Sequence, residues 1–267
     1  MFLPETLLPG AKAPAELPAA LRPQNGQREA WRALICDAIE QENFRFVAQP
    51  ILSVEDGRIA RWELLTRLHP VDGPRVPPSA FLPLADELGL LRRLDEGVVQ
   101  RAIELLAVRK HLNLSVNVAL DSIVDRRFLE RVNRRITALG VAPGRLTMEL
   151  VPTNGEAGSR DMDCELPAGG WQLALDNFTG DRRSLLDGVG LWAGAVKIDS
   201  AITRRLLSDE DAKRRFSAAI TAAHELDRTV VVTRIPDRAT ADLATGCGAD
   251  YLQGFHIGRP RPLTELP

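Results

Sequence analysis

From residue 79 onward the chain alternates between stretches whose apolar residues recur every three or four positions and short runs rich in Val, Leu and Ile. That is the pattern of helices followed by buried strands. Helices are predicted over 79–89, 91–110, 122–139, 183–188, 209–226 and 238–246, and strands over 112–117, 146–151, 171–176, 194–198, 229–233 and 251–254. A helical crossover between two strands lays them parallel, because it returns the chain to the end where the first strand began. Two earlier strands, 44–52 and 59–68, are separated by Ser53-Val54-Glu55-Asp56-Gly57-Arg58, whose Asp-Gly pair signals a tight turn. These two are therefore antiparallel. Eight strands with no second domain break predict an α/β fold, a modified TIM-type (β/α)8 barrel with an antiparallel first strand; a doubly wound open sheet is the alternative.

Two stretches break the rhythm. Residues 1–26 carry Pro4, Pro9, Pro14, Pro18 and Pro23 among alanines, too many prolines for a helix or a sheet strand, and read as a leader or linker before a barrel domain over 27–267. A first helix follows, with Trp31, Leu34, Ile35 and Ile39 on one face. Between strands 146–151 and 171–176, Gly155, Gly158, Pro167, Gly169 and Gly170 interrupt any apolar face. The covering helix is expected to be missing there, leaving Leu146, Met148 and Leu150 bare for a protein partner or a second subunit of a homodimer to cover.

Charge and cysteine content exclude several classes. With 34 basic and 36 acidic residues, the chain has no electrostatic footprint for a long nucleic acid. No run approaches the roughly 18 apolar residues of a membrane span. Cys36, Cys164 and Cys247 lack metal or disulfide spacing and read as reduced thiols of a cytoplasmic protein. His69, His111, His224 and His256 share no strand-end pattern, so surface or packing roles are expected of them. Lysine occurs only at positions 12, 110, 197 and 213, which makes Lys197, inside an apolar strand, worth explaining.

In a barrel of this kind chemistry sits at the carboxyl ends of the strands. At or near those ends stand Gln49, Glu63 with Arg67, Asn117, Glu149, Asp176 with Asn177, Lys197 with Asp199, Thr233 and Gln253. Glu63, Asn117, Glu149 and Asp176 together offer hard oxygen donors suited to Mg²⁺ or Mn²⁺. Taken singly, Asn117, Asp176 and Asp199 are equally well explained as helix caps, and Glu149 with Lys197 as a buried structural ion pair. A polar residue from every strand is harder to explain that way.

These residues stand in motifs that resemble the EAL domain, a bacterial family whose active members hydrolyse cyclic di-GMP with two divalent metals. Gln49-Pro50-Ile51 resembles its QPI, Glu63-Leu64-Leu65 with Arg67 its EAL-x-R, and Phe81-Leu82-Pro83-Leu84-Ala85 its FIPLA. Ser115-Val116-Asn117 resembles SVN, Lys197-Ile198-Asp199 KID, and Asp250 to Phe255 DYVQGY. The resemblance implies first-metal positions at Glu63, Asn117, Glu149 and Asp176, and the active-site lysine at Lys197, which is not sufficient alone for catalysis. It places Gln49, Glu63, Leu65, Arg67, Asp199 and Gln253 at ligand-binding or supporting positions.

The departures fall on the other metal. DDFGTG is here Asp176-Asn177-Phe178-Thr179-Gly180-Asp181, EITE is Glu149-Leu150-Val151-Pro152, and AEGVE is Val232-Thr233-Arg234-Ile235-Pro236. Asn177, Thr233 and Pro236 thus replace acidic residues, and Arg234 adds a cation that would repel a second metal or meet a ligand phosphate. The expectation is a catalytically degenerate signalling protein that binds cyclic di-GMP, with Mg²⁺ or Mn²⁺ weak or absent at one site and no second metal. A nucleotide-independent interaction module and a weakly active phosphodiesterase are the alternatives.

Overall fold

A computed structural model describes residues 27–40, 44–68, 76–150, 170–186 and 188–267. Expectations about the leader, His69, Cys164, the end of the 146–151 strand and the stretch 152–169 lie outside them. The fold begins with helix α1 (Gln27–Glu40) and the antiparallel hairpin β1 (Phe44–Ser53) and β2 (Ile59–Leu68). The turn closes where it was expected: Gly57 takes φ 63 and donates to the Ser53 carbonyl at 3.0 Å, and Ser53 donates to the Arg58 carbonyl at 2.9 Å. Only glycine enters that left-handed region without steric cost.

Helices α2 (Pro78–Glu87) and α3 (Leu91–Val108) lead into β3 (Leu114–Val118), and α4 (Leu120–Ile123) and α5 (Arg126–Ala138) into β4 (Leu146–Leu150). The sequence pattern merges α4 and α5 into one helix. The chain breaks it because Asp125 caps α5, accepting from the Arg127 and Phe128 amides at 2.8 and 3.2 Å. Beyond β5 (Trp171–Phe178) come α6 (Arg183–Leu186) and a 3₁₀ turn, then β6 (Ala193–Ile198), α7 (Ser200–Thr203) and α8 (Glu210–His224). Strand β7 (Thr229–Val232), α9 (Arg238–Gly246), β8 (Tyr251–Gln253) and a short β9 (Arg261–Pro262) complete the order.

The sheet runs β2-β3-β4-β5-β6-β7-β8-β1-β9 and closes through the β1–β2 pairing. Neighbours from β2 to β8 are parallel, while β1 is antiparallel to both β2 and β8. The structure is thus the closed mixed barrel, and the open sheet is excluded. β9, which no periodicity announced, pairs with β1 through Val47 and Ala48.

Alternation divides each strand between two cores. Leu64, Val116, Met148, Leu175, Val196 and Val230 are buried outward among helix residues such as Leu94, Phe128, Val132 and Phe216. Residues of opposite parity fill the barrel. Its lower layer includes Arg61 and Thr147, both donating to the Gln172 side-chain carbonyl at 2.9 and 3.4 Å. Leu146, Met148 and Leu150 are each fully buried, so the expected bare surface on β4 is corrected: these side chains belong to the main hydrophobic cluster.

Candidate functional site

One layer above that floor, the inward positions become charged. The strand registers bring them together, with Gln49 opposite Glu63 and Asn117 beside Glu149. Because β1 is antiparallel, its carboxyl end lies at the opposite rim; Gln49 reaches the site from mid-strand and not from a strand end, as the sequence reading had it. Gln49, Glu63, Glu149, Asp176, Lys197 and Gln253 are all buried, Glu149 to 2% and Lys197 to 3% exposure.

Lys197 is the centre of the arrangement. Its Nζ donates to Glu63 Oε2 at 3.0 Å and to Glu149 Oε2 at 2.6 Å. Gln253 Nε2 donates to the same Glu63 oxygen at 2.6 Å, and Asn117 Nδ2 to Glu63 Oε1 at 2.8 Å. Gln253 Nε2 also lies 3.5 Å from Gln49 Oε1, and Gln49 Nε2 donates to the Gly258 carbonyl at 3.1 Å. A carboxylate that accepts from an ammonium and two amides is well compensated for the loss of water.

The electrostatics separate the carboxylates. Burial would raise Glu63, but the charge of Lys197 and the hydrogen bonds from Gln253, Asn117 and Lys197 hold it below the usual carboxylate range. At Glu149, burial and the charge of Glu63 outweigh Lys197 and push it up to about 7. Burial also raises Asp176 against the pull of Lys197, helped by the charges of Glu63 and Asp199. For Lys197 burial favours the neutral amine, yet the charges of Glu149, Glu63 and Asp176 raise it above the ordinary lysine value, so the cation is retained.

The remaining sequence candidates stand on the rim. Leu65 and Arg67 are half-buried on β2, and Arg67 donates to the Thr66 carbonyl at 3.0 Å. Asp199 caps α7, accepting from the Ala201 amide at 2.6 Å, the capping role that was its simpler reading. Thr233 donates to the Ile198 carbonyl at 3.3 Å. Asn177 and Arg234, at the ends of β5 and β7, have φ 55 and 59, a region L-residues rarely enter. Arg204 follows α7, and its charge reaches Arg234.

Sequence reasoning overlooked Asp95 on α3. Its carboxylate is buried behind β3, accepting from the Ala119 amide at 2.9 Å and the Ser122 hydroxyl at 2.7 Å. Burial outweighs both bonds and pushes it up to about 7. The signal was present, since position 95 falls on the apolar stripe of Leu94, Val98, Val99 and Ala102.

Glu63, Asn117, Glu149 and Asp176 have the donor chemistry that Mg²⁺ or Mn²⁺ prefers. As arranged they do not form a cage. Lys197 stands within hydrogen-bond distance of two of them, the Asn117 amide nitrogen faces Glu63, and no metal-binding group of three or more His, Cys, Asp or Glu occurs among the described residues.

Comparison with known proteins matches residues 32–260 to the EAL domain. The chain is 27% identical over 254 residues to the oxygen sensor protein DosP of Escherichia coli, covering 90% of this chain and 31% of DosP. It is also 27% identical over 228 residues to the bifunctional diguanylate cyclase/cyclic di-GMP phosphodiesterase MucR of Pseudomonas aeruginosa, covering 81% of this chain and 32% of MucR. It thus spans about a third of the length of these curated relatives. The solved Xanthomonas citri FimX EAL domain in complex with c-diGMP is similar in fold, with a TM-score of 0.76, 21% identity, and coverage of 91% of this chain and 98% of that one. Among the described residues no helix is long and apolar enough to cross a membrane.

Proposed function

Since the chain belongs to the EAL domain family, we propose that it is a cyclic di-GMP-binding signalling domain that does not hydrolyse its ligand efficiently. One observation carries the reading: the cation held between Glu63 and Glu149 is the protein's own Lys197, with Gln253 and Asn117 completing the shell around Glu63. A Mg²⁺ or Mn²⁺ ion at the first-metal positions would compete with that ammonium for Glu63 and Glu149, and the positions implied for a second ion carry Asn177, Thr233 and Pro236, none of which is a carboxylate. Two metals would clamp the attacking and leaving oxygens of a phosphodiester. Loss of general-base assistance alone costs on the order of 10²–10⁴ in rate. In this reading Arg67, Leu65 and Asp199 at the rim, with the buried Gln49, contact the nucleotide or support the residues that do.

Isothermal titration with cyclic di-GMP in EDTA and in Mg²⁺, paired with chromatography of the linear product, tests this. Binding without turnover is expected. Turnover of about 1 s⁻¹, the low end for ordinary enzymes, makes the protein a phosphodiesterase. The absence of any binding leaves the nucleotide-independent interaction module.

A further inference from the structure

The loop leaving β7 fixes a cation in an unusual backbone conformation. Arg234 sits at φ 59, and the residues on both sides of it are tied down. Thr233 Oγ1 donates to the Ile198 carbonyl on β6 at 3.3 Å, and the Ile235 amide donates to the Gln253 carbonyl on β8 at 3.0 Å. The His256 amide donates to the Ile235 carbonyl at 3.1 Å. Gly254 lies so close that a Cβ there would meet the Ile235 backbone N and O at 2.2 Å. Strained backbone of this kind persists only where its surroundings over-determine it, and it concentrates at ligand-contacting positions. Gln253, whose carbonyl anchors the loop, also donates to Glu63 from its side chain, so the loop and the buried cluster share a support.

The charges acting on the half-buried Arg234 guanidinium include Arg204 nearby, and Asp176 and Glu63 in the cluster. After burial, the repulsion from Arg204 is the largest influence on it. An anion reached by both guanidinium groups would relieve that repulsion, and a phosphodiester oxygen is the acceptor such groups bind best. We propose that Arg234, with Arg204, forms an anion site on the β6–β7 rim that takes a phosphodiester oxygen of the ligand without a divalent ion. With a cyclic dinucleotide as the ligand, this rests on the function proposed above and assigns that reading a residue specific to this chain.

Titrate cyclic di-GMP into the parent, Arg234→Gly, Arg204→Ala and Arg238→Ala in EDTA, and repeat for the parent in Mg²⁺. Glycine accepts the left-handed backbone, so Arg234→Gly should fold. A ten- to hundredfold loss of affinity is expected for it, with a smaller loss for Arg204→Ala. Arg238→Ala removes an exposed charge paired with Asp242 on α9 and should leave affinity unchanged. Parent-like binding by Arg234→Gly, an equal loss in Arg238→Ala, or parent binding that requires Mg²⁺ overturns the site while the functional reading stands. If the parent does not bind cyclic di-GMP, that reading fails, and inorganic pyrophosphate decides the anion site: weaker binding by Arg234→Gly than by the parent upholds it, and no difference overturns it.

Discussion

The two sides of the barrel mouth are held in different ways. Around β1, β2, β3 and β8 no strand residue takes a left-handed backbone and the side chains do the fixing: Asn117 and Gln253, with Lys197 reaching across from β6, converge on Glu63. At the ends of β5 and β7 the fixing is done by the backbone, with Asn177 and Arg234 in left-handed conformations and Ile235 tied to β8. The first side keeps the polar residues of its family's motifs and differs at apolar positions such as Leu64, Leu252 and Phe255, while the second loses acidic residues. A side chain held by several others is costly to change alone, whereas a clamped loop can exchange side chains without disturbing its neighbours.

The sharpest way to break this contrast is Lys197→Met, which leaves two buried carboxylates facing each other. Breaking a buried pair costs about 3–5 kcal/mol. Urea denaturation should show a loss of that size, partly restored by adding Glu149→Gln; unchanged stability would refute the central role of the ammonium.

A second effect lies behind the first side, at Asp95. Burial pushes its carboxyl up to about 7 in the folded chain against 3.8 for a free aspartate, so between these pH values the folded state binds more protons than the unfolded one. The stabilisation is complete below the lower value and is lost as pH rises through the higher. From pH 5 to 8 this amounts to about 2–3 kcal/mol. Glu149, also raised to about 7, adds a slope of the same sign. Denaturation of Asp95→Asn across that range should therefore show a flatter pH dependence than the parent, and parallel curves would show that Asp95 does not titrate as described.

Gln253→Leu removes a hydrogen bond to buried Glu63 and should cost about 2 kcal/mol in the same assay. The smallest changes belong to the β5–β7 side and have the opposite sign. Arg234→Gly should stabilise the fold by about 1 kcal/mol by releasing left-handed strain, and Asn177→Gly by less, since asparagine tolerates that region. Thermal melts measure both; destabilisation of the glycine variants would mean that the side chains, and not the clamped backbone, hold these loops.

How much was legible in the sequence follows the same division. Glu149 and Lys197 stood out because charges inside apolar runs are expensive, and the structure places them 2.6 Å apart, with Lys197 also 3.0 Å from Glu63. The antiparallel β1 was readable from Asp56-Gly57. The left-handed turn at Arg234 was not, because no glycine marks it. The break before α5 hides in a helical-looking run, where Asp125 becomes recognisable as a cap only once its amide partners are seen. β9 is two residues long, contains Pro262, and exists only through its pairing with β1.

The direction of β1 has a mechanical consequence. Phe44 pairs with Leu68 at the carboxyl end of β2, so this strand enters the barrel at the mouth and descends past Gln49 toward the floor. The helix ahead of it, α1, is tied to its neighbours by Arg28–Glu87 at 3.1 Å and Arg93–Glu40 at 3.2 Å. Five residues of extended chain, roughly 17 Å, separate Phe44 from Gln49. The strand that follows α1 therefore starts at the rim where the carboxylates gather, and a displacement of its first residues would have only that short strand to cross. Were β1 parallel to the rest, the same push would arrive at the far end and have to cross the packed interior. Reversing one strand places the barrel's lever arm beside its working end.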